Sequence, residues 1–485
     1  MQQYEVIVIG SGFSGQCAVI RLQEAGIDDY VILERRDFMG GTWCQNSYPG
    51  AAVDVHSPLY SISSEPYPWS QMFAEQSELR DYTNFVIDKH HLRERTELGA
   101  DVSSLVWDDD DQLWTVGTRD GRRYRGRFVI LGTGPLSTPK VPEFPGADRF
   151  EGRTFHSNAW DHDYDHRGKR VAIVGSGASA AQIIPAIAAD VAELHVFQRT
   201  PHWSLPRPDR HFTPWQRKVL GNRLAYAALR SLIYLSLETR VLGFKYSRWM
   251  LERVAQKQAL RHIANQIDDP ELRRKVTPHY TIGCKRVILS STLYPALTRP
   301  NVTLHDATDG IAEISPGGVV TAGGDKVDLD LIVYATGYDA ADGVTTYTVT
   351  GEHGAELGDL WAEYPRAYLG TTLPGFPNLF LMLGPNTGIG HTSALFIMES
   401  QLLYVMHCIT AVRAAGRHSI QPTASAERRY TDHIHSAMER TVWQDGGCTS
   451  WYQNHSGKVI AMYPGFSFTY RRKAQHFRPG DHIVA

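Results

Sequence analysis

"YEVIVIGSGFSGQCAVIRLQEAGI", residues Tyr4–Ile27, decides the fold. The apolar run Val6–Ile9 predicts a buried strand, the glycines after it a tight turn, and the stretch to about Ala25 a helix. Gly10, Gly12 and Gly15 stand at GxGxxG spacing in that strand–turn–helix context. The first glycine makes the turn, the second lets backbone approach a pyrophosphate, and the third lets the helix pack on the strand. The helix start then offers unpaired N–H groups and a positive dipole end to phosphate. A lone GxGxxG is weak evidence, but the next predicted strand, "YVILERR", carries Glu34 nineteen residues beyond Gly15. That places a carboxylate for a ribose hydroxyl.

The pattern recurs in "GKRVAIVGSGASAAQIIPAIA", with a strand through Val174, then Gly175, Gly177 and Ala180, then a helix. Its following strand, "AELHVFQRTP", aligns with the first copy residue by residue. Gln198 stands where Glu34 stood, followed by Arg199 and Thr200. Losing the carboxylate removes repulsion of a 2′-phosphate, and a guanidinium can bind that phosphate as a fork. The first site is therefore expected to take FAD and the second NADPH; alone, Arg199 also reads as a solvated strand-end charge. Two stretches, "RFVILGTGPLSTP" and "LDLIVYATGYD", each end an apolar strand in a small-residue turn. Such turns let the chain pass close to a cofactor or cross between domains.

The fold class expected is α/β, with two Rossmann-like dinucleotide-binding domains and a helical insertion in the second. The chain divides as 1–140 (FAD-binding, first part), 141–206 (NADPH-binding, first part), 207–278 (insertion), 279–370 (NADPH-binding, second part) and 371–485 (FAD-binding, second part). The insertion has helical periodicity; its apolar part, "LAYAALRSLIYLSLETRVLGF", is interrupted by Arg230, Glu238 and Arg240. Its run Ser231–Leu237 is too short to span a bilayer. A helical cover over the active site is expected, with an interfacial membrane helix or a dimer surface as alternatives.

Composition fits a soluble globular protein: 485 residues, 42% hydrophobic, 21% charged, net charge −3. No basic footprint for nucleic acid is visible. The predicted strand begins almost at Met1, so no export signal is expected. The cysteines (Cys17, Cys44, Cys284, Cys408, Cys448) are odd in number, scattered and without a CxxC pair. That argues for a reducing cytoplasm and against both a disulfide framework and a dithiol redox centre.

Between the two glycine fingerprints lies "FEGRTFHSNAWD", too polar for a buried strand. Its Phe150, Gly152, His156, Trp160 and Asp161 match FxGxxxHxxxW followed by Asp or Pro, and the chain thereby resembles the Baeyer–Villiger monooxygenases, class B flavoprotein monooxygenases. A second pattern of that family, GxWxxxxYPGxxxD, occurs as "GTWCQNSYPGAAVD", with Gly41, Trp43, Tyr48, Pro49, Gly50 and Asp54. The resemblance covers nearly the whole chain. It implies an FAD- and NADPH-dependent enzyme that inserts one oxygen atom of O2 beside the carbonyl of a small ketone or aldehyde, through a flavin peroxide. Arg286 in "TIGCKRVIL" would be the cation beside that peroxide, held by Asp54, and its role would be electrostatic because an Arg does not store protons at neutral pH.

The resemblance further implies cofactor contacts at Thr42, Trp43, Asp54, Tyr60, Val102, Ala178, Ser179, Gln182, Lys285, Asn386 and Trp451. Lys285 would touch the 2′-phosphate, and Trp451 would pack near the nicotinamide ribose. By residue type alone Lys285–Arg286 reads as a solvated edge, and Trp451 as core. The helix beginning in "LMLGPNTGIGHTSALF" would point its N-terminus at the flavin ring. His156 would serve a hinge that couples domain movement to catalysis. The tail departs from the cycloketone enzymes, so their substrate pocket does not carry over. Rival classes are an N- or S-oxygenating flavoprotein, a pyridine nucleotide–disulfide reductase (which needs a dithiol) and a non-catalytic redox sensor.

Overall fold

A computed structural model describes residues 1–339 and 346–485. Strand β1 (Gln2–Ile9), helix α1 (Phe13–Glu24) and strand β2 (Tyr30–Leu33) form the first β–α–β unit, with β1 and β2 parallel. Gly26, at φ 68°, lets the chain leave the helix where a side chain would be strained. Alternation sorts the strands onto two faces: Val6, Val8, Tyr30 and Ile32 join one apolar cluster, Ile7, Ile9, Val31 and Leu33 another. Both faces are covered, which is why these strands read as unbroken apolar runs. An antiparallel meander, β3 (Val102–Asp108), β4 (Leu113–Thr118) and β5 (Arg123–Leu131), extends the sheet, with β5 parallel to β1.

The second unit is a five-stranded, all-parallel sheet. Its members are β6 (Arg153–His156), β7 (Arg170–Val174), β8 (Glu193–Phe197), β9 (Val302–His305) and β10 (Leu331–Tyr334), in the order β9-β8-β7-β10-β6. Helix α2 (Ala178–Ile187) follows β7 as α1 follows β1. The architecture is therefore α/β with two Rossmann-like units, as the paired glycine signals predict. The segment 150–161 contributes an edge strand, exposed at Arg153 and buried only at His156. Its polarity reflects that edge position.

The stretch 207–278 is helical. Helix α3 (Pro214–Leu220) opens with a Thr213/Gln216 capping box, and α4 (Arg223–Glu238) is capped by Asn222. On α4, Tyr226, Ile233, Leu237 and Glu238 are buried, and all but Glu238 join the first unit's core. Further on, Leu251, Ala259, Ile263 and Val276 enter the second unit's core instead. The insertion therefore bridges both units. Arg230 and Glu238, which interrupt the apolar run, face inward. Arg230 donates to the carbonyls of Pro58 (3.1 Å), Leu59 (3.1 Å) and Ser61 (2.7 Å) and lies 3.4 Å from Glu399. Glu399 also accepts the Ser63 N–H at 2.6 Å. Glu238 accepts the Ser467 backbone N–H and sits 3.2 Å from His391.

Two expectations need correction. The stretch 279–370 does not stay with the second unit, since Thr348–Thr350 already pairs with β3 at the edge of the first sheet. A three-residue edge strand carries too little pattern to be seen in sequence. The cysteines do contain a disulfide, Cys284–Cys448, across 164 residues. Partners so distant leave no spacing signature, and the crosslink removes the cysteine argument for a reducing cytoplasm. Cys17, Cys44 and Cys408 are free. Among the described residues one helix, α5 (Ala394–Ala414), is long and apolar enough to cross a membrane by length and composition, but 67% of its apolar window is buried, and it packs against α1 as a core helix.

Arg230→Ala leaves the Glu399 carboxylate buried without its cation, so unfolding stability is expected to fall by about 3–5 kcal/mol in urea denaturation. Arg230→Ala combined with Glu399→Gln is expected to recover part of that loss. Cys448→Ser removes a crosslink that restricts the unfolded chain and is expected to cost about 2–4 kcal/mol under non-reducing conditions. In excess dithiothreitol this variant and the parent should unfold at the same urea concentration.

Candidate active site between two dinucleotide cradles

The two glycine turns are built alike. Gly10, at φ 98°, lies where a Cβ would come within 2.7 Å of the Gly132 carbonyl oxygen; Gly175, at φ 127°, lies where one would come within 2.3 Å of that of Ala335. The small-residue turns after β5 and β10 are thus what each first glycine packs against. Backbone bonds close the same loop in both units, Gly132 N–H to Ile9 and Ala335 N–H to Val174. Helices α1 and α2 begin at Gly12 and Gly177, neither with a side-chain cap, so their first N–H groups stay available. A Cβ on Gly177 would meet nothing within 4 Å. Two uncapped helix starts, the second with clear approach, fit the pyrophosphates of two dinucleotides.

Around the first turn, the buried Glu34 carboxylate accepts the Ser11 N–H (3.0 Å) and hydroxyl (2.6 Å), and so sits at the end of β2 beside the fingerprint. The Ala100 N–H donates to the Glu34 carbonyl, which brings Val102 at the start of β3 alongside. Gly41, at φ 62°, approaches Gly12 so closely that its Cβ would fall 2.7 Å from the Gly12 Cα. Thr42 and Trp43 follow directly, and the Trp43 indole N–H donates to the Tyr60 hydroxyl at 3.3 Å. Around the second turn, Ala178 and Ser179 open α2. Ser176 donates to the Thr200 carbonyl, and Arg199 stands exposed at the end of β8. The Gln198 amide donates to the Lys275 carbonyl at 2.8 Å.

Arg286 and Asp54 meet across the units as a fork. Arg286 Nε donates to one Asp54 oxygen at 2.6 Å, and an Nη donates to the other at 2.5 Å. The Arg286 side chain keeps 42% of its surface accessible and Asp54 keeps 25%, so the pair lies at an open cleft. Burial alone would raise the Asp54 carboxyl, but the Arg286 charge and hydrogen bonds outweigh it and hold the carboxyl below its ordinary value. In return Asp54 raises the guanidinium further, so Arg286 is permanently charged. The buried Tyr452 lies close enough to feel both charges, and burial pushes its phenol up to about 12. Tyr60 is raised by burial in the same neighbourhood. Tyr452 gives no signal in the sequence beyond following Trp451. Arg207, whose charge also acts on Asp54, was likewise hidden in the insertion.

Lys285 precedes Arg286 and points elsewhere. Its ammonium lies 5.3 Å from the Tyr280 ring centroid, and burial first, then the Arg199 charge, lower its pKa. Among the described residues neither Arg199 nor Lys285 has a carboxylate within 4.0 Å, so two cations face one space without an anion.

The fingerprint segment and residues 45–50 form the seam between units. Gln45 donates to the Asn158 carbonyl, Ser47 and His162 are 2.7 Å apart, and the Tyr338 hydroxyl donates to Asn46 at 2.8 Å. His156 is buried against the Tyr338 ring, and burial lowers its pKa. Its Nδ1 accepts the Asn158 N–H. Gly152 is required sterically, since a Cβ there would strike the Phe150 ring and the Asp330 carbonyl. Trp160 packs in the second core against Phe155, and Asp161 pairs with Arg153 at 2.6 Å. Gln182 spends both ends of its amide on the seam, accepting from Tyr48 (2.9 Å) and donating to the Ala52 carbonyl (2.8 Å).

Asn386 and Trp451 lie on the C-terminal side. Asn386 donates to the carbonyls of Val459 and Met462, and so fastens the tail beneath the turn that leads into α5. Trp451 is 40% exposed, edge-on to Tyr452, on the segment that the disulfide ties to Cys284.

A family model described as pyridine nucleotide-disulphide oxidoreductase matches residues 7–234. The chain is 43% identical over 476 residues to a Baeyer–Villiger monooxygenase of Pseudomonas aeruginosa, covering 98% of this chain and 90% of that one. It is 41% identical over 486 residues to a Baeyer–Villiger monooxygenase of Streptomyces coelicolor, covering 100% and 93%. Among solved structures, a complex of OTEMO with FAD and NADP superposes with a TM-score of 0.90 at 27% identity, over 99% of both chains. Cyclohexanone monooxygenase from Rhodococcus sp. Phi1 bound to NADP+ superposes with a TM-score of 0.89 at 29% identity, over 100% of this chain and 99% of that one. Full-length identity above two-fifths, on a chain that folds as two dinucleotide cradles joined by an Arg–Asp fork, places it in the Baeyer–Villiger monooxygenase family.

Proposed function

We propose that the Arg286–Asp54 fork is the electrostatic centre of an FAD- and NADPH-dependent monooxygenase that inserts one oxygen atom of O2 beside a ketone carbonyl. The observation that carries this reading is the fork itself: a permanently charged guanidinium, fixed by a carboxylate of the other unit and still open to a cleft. Bound FAD, reduced by hydride from NADPH, supplies the activation of oxygen. The protein's residues do the rest. Asp54 occupies two N–H donors of Arg286 and sets the plane of the guanidinium; the remaining donors face the cleft, where negative charge develops on oxygen during attack on a carbonyl. Tyr60 and Tyr452 flank the pair and limit water around it.

On the nucleotide side, Arg199 and Lys285 hold the 2′-phosphate, which relieves their mutual repulsion, and the N-terminus of α2 holds the pyrophosphate. The first unit holds FAD through the α1 N-terminus, Glu34 and the Gly41–Trp43 turn. The buried His156 couples the units; it contacts Asn158 and Tyr338 on the seam and not the fork. N- or S-oxygenation is the second reading, because it uses the same two cofactors on a soft nucleophile. The fixed cation favours the carbonyl reaction, whose oxyanion needs one.

With NADPH, 18O2 and a panel of ketones, sulfides and amines, mass spectrometry is expected to find one 18O atom in an ester or lactone. Arg286→Ala is expected to retain FAD and accept hydride, but to form ester about 10²–10³-fold more slowly. Unchanged ester formation by that variant defeats the role given to the fork. Arg199→Ala is expected to weaken NADPH by roughly 1.5–3 kcal/mol and to leave NADH nearly unaffected. Equal losses for both nucleotides in steady-state kinetics would remove the 2′-phosphate contact.

A further inference from the structure

Among the described residues the outer side of the helical insertion has no partner, and it is apolar. Leu224 is 82% exposed, Leu232 67% and Leu235 61%; Trp215, on the adjoining helix α3, is 72% exposed. On α4 the positions 224, 228, 231, 232 and 235 fall on one stripe by helical phase, opposite the inward set Tyr226, Ile233 and Leu237. A surface helix of a monomeric protein should be polar on that side. This helix is apolar on two sides, of which the fold uses one.

The insertion that carries the stripe is also unusually rich in cations. Residues 213–262 contain ten Lys and Arg against two Glu, in a chain whose net charge is −3. Neither Glu compensates the outer face, because Glu238 is buried against Ser467 and His391 and Glu252 is paired with Arg248. Among the described residues, Arg217, Lys218, Arg223, Arg253, Lys257 and Arg261 have no carboxylate within 4.0 Å. Arg217 and Arg223 donate only to backbone carbonyls, of Pro68 and Ser64, which hold the side chains without neutralising them.

We propose that this face is a peripheral docking surface for anionic phospholipid: Trp215 and the Leu stripe enter the headgroup–acyl boundary while the flanking Lys and Arg meet lipid phosphates. The combination of bulky apolar and aromatic side chains with unpaired cations is what an interfacial helix presents. A second copy of the chain fits less well, because a two-fold contact would set the same uncompensated cations against each other. Nucleic acid matches the charge but offers no apolar phase to Leu224, Leu232 and Leu235. The inference does not rest on the oxygenation reading, and each stands or falls alone.

The test is flotation of the full-length holoenzyme with vesicles of phosphatidylcholine alone or mixed in equal parts with phosphatidylglycerol. Binding is expected to the mixed vesicles only and to weaken as salt screens the charges. Leu224→Ser with Leu235→Ser is expected to lower vesicle partition about tenfold or more, as is Lys218→Glu with Arg223→Glu. All these side chains lie outside the core, so thermal midpoints and NADPH oxidation should match the parent. Absence of binding to anionic vesicles, or binding that neither variant reduces, overturns the proposal. It is overturned equally if sedimentation velocity shows a dimer that the double Leu variant dissociates while vesicles do not bind. Duplex DNA bound more tightly than vesicles and insensitive to the Leu changes would assign the face to nucleic acid instead.

Discussion

A guanidinium on one unit and a carboxylate on the other meet at the cleft between them, and neither is well placed without its partner. Asp54 is a carboxylate that burial alone would protonate more readily; the charge and hydrogen bonds of Arg286 do most to reverse that tendency, with a backbone hydrogen bond and the Arg207 charge adding to them. The two units are therefore held to a geometry in which a charged fork closes, and everything else at the seam is arranged to let it close. Gly50, at φ 79°, lets the loop before Asp54 lie against α2; a Cβ there would sit 2.5 Å from the Gln182 carbonyl oxygen. Gln182 then clasps Tyr48 and Ala52, two to six residues ahead of Asp54.

Most of this seam is polar, and that has mechanical consequences. The contacts of Gln45, Asn46, Ser47, Tyr48 and Gln182 are single hydrogen bonds, each worth about 1 kcal/mol net because water replaces them when they open. An interface of that kind permits small relative movements of two domains. The insertion behaves differently. Its α4 is fastened to the first unit by a buried cluster of Arg230, Glu399, Tyr226 and Ser61, whose opening would strand charges. Its later helices sit in the second unit's core. The insertion is thus anchored at both ends, and the hydrogen-bonded seam around His156 is the weaker of the two connections between the units.

Much of this was legible in the sequence, for reasons that are themselves local. The glycine turns, Glu34 and the acidic-to-Gln198 exchange were readable because a dinucleotide cradle is built within about thirty consecutive residues. What escaped depends on partners far apart in the chain. Cys284–Cys448, the seating of Tyr452 beside the fork, and Arg207 acting on Asp54 each join segments with no shared periodicity. Gln198 was read through the carboxylate it lacks, and its own amide turns out to hold Lys275. In the insertion, Arg230 and Glu238 looked like breaks in an apolar run. They are the inward anchors of a helix whose apolar stripe is partly outward, an inversion that hydropathy alone cannot display.

The cations sort by how they are compensated, and the sorting follows what each is for. Arg230 is enclosed: three carbonyls gather on one of its terminal nitrogens and a carboxylate lies by the other, and it is a structural strut. Arg286 is half-saturated, with one carboxylate fixing its plane while the rest of the guanidinium meets the cleft. Arg199 and Lys285 are unsaturated and repel each other, a repulsion that the proposed 2′-phosphate contact would offset. On the roles proposed for them, a cation that must stay put is surrounded, one that would act on a transient charge is oriented but left partly free, and one that would bind a phosphate is left without a protein anion.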